Sequence, residues 1–513
     1  MKSKGILSST IKVSIAVFIT KVLGLLKQSI IASRFGAVQE TDAYFLASGM
    51  VNNLSILIFS ALSITLLTMH TERLISDGRP AANNLINAVL RCFIPIAAGI
   101  TCIFVLLAPE IAEFLAPACS TEQRATLPAY IRILSPTFIF SCYYLVINVI
   151  LETDKRFLPG KGQGLLQNIC VIAAVLLLHK KFGIQAALYA FLIAGLLHGI
   201  QITRAAGKVW KFHLRTGNER YAIGKLCMLA LPLLLGNATY EINDIVDKRI
   251  AAGLGEGSVS VLSFGASVNE IVTTLIVTSA TAVLFSSYAG WAAEGKKDKI
   301  NEGLMWSLKI LYAVIVPIMV VCFLCGDSII DILYGRGSFS YESVRNTAGV
   351  VICYAAGFFF QGTRADLIRV YYAFQDTRTP MITGAVAVTV NIILSIIFSR
   401  SMGVSGIALA TSLSMLLATI LLIPGIKKKL PGSSVKPLIG DLMKCTICGL
   451  AAFAIGWHVR THIGGYSLIT LLSTGAAVLF IYTALLFLLR VGCAELAKEM
   501  IVNKLSHREE SDD

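Results

Sequence analysis

The run Pro380-Met-Ile-Thr-Gly-Ala-Val-Ala-Val-Thr-Val-Asn-Ile-Ile-Leu-Ser-Ile-Ile-Phe-Ser399 contains no charged residue. A stretch of about 20 mainly apolar residues is long enough to cross the hydrocarbon core of a bilayer as an α-helix. The rest of the chain has the same character: of its 513 residues, 56% are hydrophobic and 14% charged, with a mean hydropathy of +0.74. A soluble protein of this length needs more charge on its surface, so the sequence predicts a membrane protein.

Similar apolar runs, separated by short polar stretches, recur from end to end of the chain. The sequence therefore predicts an all-α polytopic membrane protein with about fourteen transmembrane helices and no soluble domain. The predicted spans are 11–33, 42–68, 86–108, 128–151, 162–179, 182–203, 222–247, 259–288, 304–325, 345–372, 380–399, 403–424, 438–457 and 466–490.

The turn before the quoted run has a counterpart about 220 residues earlier. Ala373-Phe-Gln-Asp-Thr-Arg-Thr-Pro380 resembles Leu151-Glu-Thr-Asp-Lys-Arg-Phe-Leu-Pro159, and each opens a span with a proline. This offset covers six predicted helices, an even number, so the two copies have the same orientation in the membrane. We expect a lobe at 1–205, a cytoplasmic linker at 206–220, a second lobe at 221–425, and two further helices with a cytoplasmic tail at 426–513. Two six-helix lobes in parallel repeat are typical of transporters that work by alternating access.

The net charge of +14 follows membrane topology. Lys and Arg are concentrated in alternate loops, including Lys208, Lys211 and the run Lys427–Lys429. Such loops lie in the cytoplasm, which places both termini there. A nucleic-acid partner is not expected, because the basic residues are spread over short loops between spans.

Ionisable residues within membrane spans are costly, and they usually face a cavity. Lys21 and Lys27 lie in the first span, six residues or about 9 Å apart along a helix. A basic cavity suits an anionic substrate such as a lipid pyrophosphate, although the two lysines could also reach an interface or pair with Asp42 or Glu270. Asp244 and Asp247 continue an acidic stripe from Glu241, which indicates Na⁺ or H⁺ coupling or, alternatively, pairing with Lys248 or Arg249.

Enzymatic chemistry has no sequence support. There is no Walker A motif, the seven His residues are dispersed, and no Ser/His/Asp signature is apparent. Two Cys pairs with CxxC spacing lie in predicted spans without accompanying His pairs, which indicates packing rather than a metal site. We therefore expect a transporter without a bound cofactor. A membrane-embedded transferase is a remote alternative.

Several motifs, in order, resemble the MurJ (MviN) family of lipid II flippases, within the MATE and polysaccharide-exporter superfamily. The motifs are Thr20-Lys-Val-Leu-Gly-Leu-Leu-Lys27, Phe35-Gly36, Asp42-Ala-Tyr-Phe45, Gly257-Ser-Val-Ser260, Leu333-Tyr-Gly-Arg-Gly-Ser-Phe339 and Tyr371–Pro380. The resemblance covers residues 6–430. It implies fourteen helices in two lobes, the cytoplasmic membrane of a bacterium, and export of an undecaprenyl-pyrophosphate-linked peptidoglycan precursor. We expect a monomer that contacts membrane lipids and cell-wall synthesis proteins.

The charges within spans and the resemblance together give the candidate site residues. Those for the substrate are Lys21, Lys27, Asp42, Asn52, Glu270 and Arg364, and those for a coupling ion are Asp244, Asp247 and Asn391. The chain departs from the family at several of its positions. Lysines replace arginines at 21 and 27, Ser55 and Ile56 stand where paired arginines are usual, Ser267 replaces a cavity arginine, and Ser395 replaces a carboxylate present in some members. These departures leave a flippase for another lipid-linked polysaccharide unit as the alternative. A cation-coupled multidrug antiporter of the same superfamily is a second alternative, but its cationic substrates do not suit Lys21 and Lys27.

The topology is tested with reporter fusions. A reporter fused after Asp513 should read as cytoplasmic, because fourteen spans return the chain to the side on which it began. A reporter fused after Ile463, between the last two predicted spans, should read as extracytoplasmic and is the matched control. An extracytoplasmic signal from the Asp513 fusion would contradict the even span count.

Overall fold

The computed structural model describes residues 2–117, 121–213, 219–431, 436–465 and 468–492. The described chain is helical throughout, with no strand in these ranges, which confirms the all-α prediction. The predicted charged tail at Arg508–Asp513 lies outside the described residues.

The first helices are α1 (Lys2–Phe35), α2 (Gln39–Ser76), α3 (Gly78–Leu106), α4 (Ala108–Leu115), α5 (Thr121–Leu134), α6 (Thr137–Thr153), α7 (Leu158–Phe182) and α8 (Gln185–Ala206). The others are α9 (Arg220–Ala252), α10 (Ser258–Ala293), α11 (Lys297–Tyr334), α12 (Tyr341–Ala355), α13 (Phe358–Ala373), α14 (Arg378–Met402), α15 (Val404–Lys429), α16 (Lys436–Ile463) and α17 (Leu468–Leu488).

The chain is a polytopic membrane protein. Within the described ranges, eleven helices are long and apolar enough to cross a bilayer, or twelve when α12 and α13, bent by 42° at a short break, count as one span. Helices α9 and α10 occupy the two other predicted spans, and they are 33 and 36 residues long. The predicted total of fourteen spans stays a prediction.

The internal repeat is visible in the backbone of two turns. Lys155 and Gln375, which lie 220 positions apart, both have a positive φ, of 59° and 57°. The next residue in each turn donates its amide hydrogen to a carbonyl five residues back: Arg156 to Leu151 at 2.7 Å, and Asp376 to Tyr371 at 3.0 Å. The similar LETDKRFLP and AFQDTRTP segments thus form the same turn at the end of α6 and of α13.

The second turn carries a charged anchor. The carboxylate of Asp376 accepts a hydrogen bond from the Thr379 backbone N–H at 3.0 Å and pairs with the Lys429 ammonium at 2.9 Å. Burial by itself raises the pKa of the Asp376 carboxyl, but the bonds from Thr379 and Lys429 outweigh it and hold the pKa below its usual value. The end of α15 is thereby fixed to the start of α14.

The repeat extends to the helices that follow these turns. Helices α7 and α14 both have 25 residues, and each ends at a glycine, Gly183 or Gly403, with φ near +60° and ψ near −140°. A left-handed φ of this kind is unfavourable for residues with a side chain, which explains glycine at both positions. The break between α3 and α4 at Leu107 also has a counterpart, the non-helical Cys325 inside α11.

The chain forms two compact units. The first contains residues 1–263 and 336–340, and the second contains residues 264–335 and 341–513. Within the first unit α2 packs against α6 and α9, and α1 packs against α7. The packing thus groups α9 with the first unit, whereas the repeat counts it with the second copy. The lobe boundaries at 205 and 221 rest on the repeat and stay a prediction.

The two helices outside the repeat pack onto the second unit. Helices α16 and α17 contact each other and α11, and these three helices share a buried apolar cluster. Cys325, Cys445 and Cys448 belong to this cluster, so these three members of the CxxC pairs pack among apolar side chains, as predicted.

Three glycine-containing turns meet in the first unit, at a place we call the glycine junction: residues 36–42, 257–260 and 336–338. A Cβ at Gly257 would lie 2.4 Å from the Ala37 carbonyl oxygen, and one at Gly337 would lie 2.1 Å from the Ser33 carbonyl oxygen. Both contacts are too close for a side chain, and both glycines have positive φ. Ser338 donates its amide hydrogen to the Ser33 carbonyl at 2.9 Å, which attaches the 336–340 segment to the end of α1.

A buried carboxylate lies at the centre of the glycine junction. Asp42 is 1% exposed. Its oxygens accept hydrogen bonds from the Gly257 and Ser260 backbone N–H groups, each at 2.7 Å, and from the Ser260 hydroxyl at 2.6 Å. The two amides belong to the start of α10, where backbone N–H groups have no partner within the helix. Asp42 therefore fixes the first turn of α10 to the first turn of α2.

Loss of the Asp42 carboxylate should destabilise the first unit. Asp42→Ala leaves three donors without their acceptor, at a cost of roughly 1–3 kcal/mol for each one that stays buried. We expect a clearly lower Tm in nanodiscs, and a smaller decrease for Asp42→Asn, which keeps one acceptor oxygen. Glu40→Ala, which removes an exposed carboxylate from the same helical turn, is the control and should leave the Tm unchanged. A wild-type Tm for Asp42→Ala would refute the anchoring role.

Candidate substrate and coupling-ion residues

The two lysines of α1 are both half-buried. Next to Lys21, the buried amide of Asn168 on α7 donates to the Thr20 carbonyl at 2.9 Å. A Cβ at Gly24 would lie 3.5 Å from the same amide nitrogen, so α1 and α7 approach closely between Lys21 and Lys27. This contact fixes the backbone that carries the two cations. Their assignment to the substrate stays a prediction.

The two predicted residues of α2 have different surroundings. Asp42 holds the glycine junction, and its three hydrogen bonds give it a structural role, while contact with substrate stays untested. Asn52 is half-buried. The next residue, Asn53, makes a polar contact that the sequence did not predict: its amide donates to the Asp244 carboxylate on α9 at 2.6 Å.

The acidic stripe of α9 is paired within the first unit. Asp244 contacts the Lys248 ammonium at 2.6 Å, one helical turn along, as well as Asn53. A Cβ at Gly49 would lie 2.5 Å from the Lys248 Nζ, so this glycine makes room for the ammonium group against α2. The sequence left ion coupling and pairing open for this stripe, and the structure shows pairing at Asp244.

The neighbouring charges of α9 also have contacts inside the first unit. Asp247 is buried, and it accepts a hydrogen bond from the Asn243 amide at 2.9 Å. The Arg249 guanidinium lies over the Phe114 ring of α4, 4.4 Å from its centroid, where a cation–π attraction stabilises it. These contacts reduce the cost of placing charge in an apolar helix.

In the second unit, the predicted residues Glu270 and Arg364 lie on α10 and α13. Glu270 is exposed and Arg364 is half-buried. The Thr273 hydroxyl, three residues after Glu270, donates to the Gln361 side chain, three residues before Arg364, at 3.0 Å. This bond brings the two helices together within about one turn of both predicted residues.

The structure adds a buried carboxylate to which the sequence gave no role. Asp366 is 1% exposed, and it accepts a hydrogen bond from the Ser307 hydroxyl of α11 at 2.5 Å. Arg369 follows one turn later on α13 and is half-buried. Asp366 and Arg369 both lie inside the predicted span 345–372. Nothing in the spacing connected them with Ser307, which is 59 residues away.

Asn391, predicted to contribute to a coupling-ion site, links two helices of the second unit. Its buried amide nitrogen lies 3.2 Å from the Thr411 hydroxyl and 3.4 Å from the Ser414 hydroxyl, both on α15. In the described part of the chain, no group of three His, Cys, Asp or Glu side chains is arranged to hold a metal ion. Asp244 and Asp247 belong to the first unit and Asn391 to the second, so a shared ion site stays a prediction.

Comparison with known proteins gives a consistent result. The family model described as "Lipid II flippase MurJ" matches residues 31–477. A probable lipid II flippase MurJ of Treponema pallidum is 24% identical over 438 residues, 82% of each chain. The lipid II flippase MurJ of Burkholderia cenocepacia is 23% identical over 421 residues, covering 80% of this chain and 82% of that protein.

Solved structures agree on the fold. A lipid II flippase MurJ in an inward closed conformation has a TM-score of 0.81 at 23% identity, and the match covers 93% of this chain and 98% of that one. An inward-facing multidrug transporter of the MATE family has a TM-score of 0.71 at 14% identity, over 83% of this chain and 100% of that one. Because the family model matches most of its length, from the end of α1 into α17, the chain belongs to the MurJ family of lipid II flippases.

Proposed function

We propose that this chain is a flippase that moves lipid II, a lipid-linked peptidoglycan precursor, across the bacterial cytoplasmic membrane. The observation that carries the proposal is the family match over residues 31–477, together with curated relatives named as lipid II flippases. The chain acts as a transporter rather than an enzyme, as a monomer, and with both termini in the cytoplasm.

Transport by alternating access follows from the repeat. Two copies of one helical arrangement, with matching turns at Lys155 and Gln375, can rock against each other while each stays intact. Such motion exposes a central substrate site to one side of the membrane and then to the other. The lipid tail stays in the bilayer, so only the polar headgroup needs a path through the protein.

The headgroup is recognised by charge. A pyrophosphate is a dense anion, and a lysine ammonium binds it as a mobile point charge, whereas arginine provides a planar fork. We assign Lys21 and Lys27 of α1 to this anion, and Arg364 of α13 as the cation that compensates for Ser267. Their half-buried side chains support the assignment, because partial desolvation strengthens a charge-assisted contact.

Ion coupling is assigned to the acidic residues of α9. Asp247 is buried in this helix, where a cation or proton can lower the cost of its charge. A cation that binds Asp244 replaces the Lys248 ammonium that pairs with it in this structure. Asn391 is the proposed partner in the second unit. Collapse of the Na⁺ gradient, the pH gradient and the membrane potential together should therefore stop transport.

Removal of either α1 lysine should impair transport. Lys21→Ala and Lys27→Ala each remove a charge-assisted contact worth roughly 1.5–3 kcal/mol, which corresponds to about 10- to 150-fold in substrate binding. Lys21→Arg keeps the charge and should keep function. The measurement is lipid II translocation at limiting substrate in proteoliposomes that contain equal amounts of folded protein.

Two controls separate binding from stability and from general charge loss. Lys180→Ala removes an exposed lysine from the end of α7 and should translocate like wild type. The Tm of each variant shows whether the lost lysine was an ion-pair partner, since that role predicts destabilisation. Wild-type translocation rates for Lys27→Ala would end its assignment to the pyrophosphate. Transport by the wild type of other lipid-linked saccharides but not of lipid II would overturn the substrate assignment itself.

A further inference from the structure

The first unit contains a large apolar pocket that the flippase mechanism does not use. Its volume is about 1120 Å³, somewhat above the usual range of roughly 300–1,000 Å³ for ligand pockets. Helices α3, α6 and α8 form its walls, and the segment 207–213 closes one end. The walls are lined by Ile94, Pro95, Phe140, Tyr143, Leu196 and Ile200.

The repeat shows that a corresponding face in the second unit is covered. Ile139 and Phe140 line the pocket, and 220 positions later Phe359 and Phe360 line a space of about 250 Å³ between α11, α13 and α16. The opposite wall of that smaller space is α16, through Leu450 and neighbouring residues. In the first unit, no helix in the described part of the chain takes the place of α16. Within the described residues, this apolar face is thus open to an occupant.

The closed end of the pocket is held by two asparagines of α3, the half-buried Asn83 and the buried Asn87. Asn83 donates to the Val209 carbonyl at 2.8 Å, and Asn87 donates to the Lys211 carbonyl at 3.3 Å. The indole N–H of Trp210 donates back to the Asn87 side-chain oxygen at 3.0 Å. Because these bonds fix the segment after α8 against α3, Lys211 is held at this end of the pocket.

The charge at this end has one sign. Arg91, Arg204 and Lys211 all line the pocket, and among its described lining residues there is no Asp or Glu. The basic segment follows α8 on the predicted cytoplasmic side, where the membrane surface carries anionic lipids. Basic pockets between transmembrane helices on this side are suited to anionic lipid headgroups. An anionic headgroup is complementary to this cluster of cations, whereas an apolar partner helix is not.

We propose that this pocket binds an anionic diacyl phospholipid of the cytoplasmic leaflet. The headgroup phosphate lies among Arg91, Arg204 and Lys211, where guanidinium groups can donate two parallel hydrogen bonds to phosphate oxygens. The acyl chains lie along the apolar walls of α3, α6 and α8, in the place that α16 takes in the second unit.

The test uses Trp210, which lines the pocket, as a local probe. A variant with Trp291→Phe, Trp306→Phe and Trp457→Phe leaves Trp210 as the single tryptophan. This variant is placed in phosphatidylcholine nanodiscs of two kinds. One kind contains a small fraction of brominated phosphatidylglycerol, and the other contains the same fraction of brominated phosphatidylcholine. Brominated phosphatidylglycerol should quench the fluorescence of Trp210 at a much lower mole fraction than brominated phosphatidylcholine does.

Charge removal identifies the headgroup site. The double variant Arg204→Gln with Lys211→Gln should raise, by about 25-fold, the mole fraction of brominated phosphatidylglycerol that quenches half of the Trp210 fluorescence. Each cation near a membrane surface contributes about fivefold to binding of an anionic lipid. Lys427→Gln with Lys428→Gln is the matched control, because these exposed lysines end the corresponding helix of the second copy, and it should leave quenching unchanged.

Three results would overturn the proposal. Equal quenching by both brominated lipids would show a face that is merely wetted by lipid. Loss of quenching as the protein-to-lipid ratio increases would assign the face to a second copy of this chain. Equal half-quenching fractions before and after removal of Arg204 and Lys211 would exclude the headgroup site. Wild-type protein, extracted from mixed liposomes and analysed for bound lipid, should retain phosphatidylglycerol over phosphatidylcholine, which tests the proposal without the tryptophan changes.

Discussion

The hydrogen bonds that the Asp42 carboxylate accepts from the start of α10 are the interaction on which the first unit depends. They join residues more than 200 positions apart, and they satisfy two backbone amides that a helix N-terminus leaves without a partner. The surrounding glycines allow three turns to approach within distances that any side chain would prevent. Four of the six motifs that resembled the flippase family overlap this junction, so part of the family's sequence signature has a structural explanation.

Charge in apolar helices distinguishes structural residues from candidate functional ones. A charged side chain at the centre of a membrane span costs roughly 2.5–3.5 kcal/mol, so each needs a compensating contact. Asp244 and Lys248 form an ion pair, Arg249 lies over an aromatic ring, and Asp366 accepts a hydrogen bond from a serine hydroxyl. The α1 lysines are half-buried and flank a close helix contact at Gly24, and their assignment to an anionic substrate stays a proposal.

Much of this fold could be predicted from sequence, because spans and turns are local properties. Apolar run length identified the helices, and the similarity around Lys155 and Gln375 identified a turn that recurs with nearly the same dihedral angles. Packing between distant helices could not be predicted in this way. Sequence selected Asn52, whereas its neighbour Asn53 contacts Asp244, because a rotation of about 100° per residue decides which side chain faces α9. The repeat likewise shows which helices correspond but not which helices pack together, so it could not show that α9 packs on α2.

The attachment of residues 336–340 to the end of α1 has a consequence for biosynthesis. Ser33 emerges early from the ribosome, but its partner Ser338 follows about 300 residues later. At about 5–20 residues per second, the turn after α1 waits on the order of tens of seconds for that partner. Throughout this interval the first unit lacks the contact between Ser33 and Ser338. Completion of the first unit thus depends on insertion of α11, so the order of assembly does not follow the order of the chain.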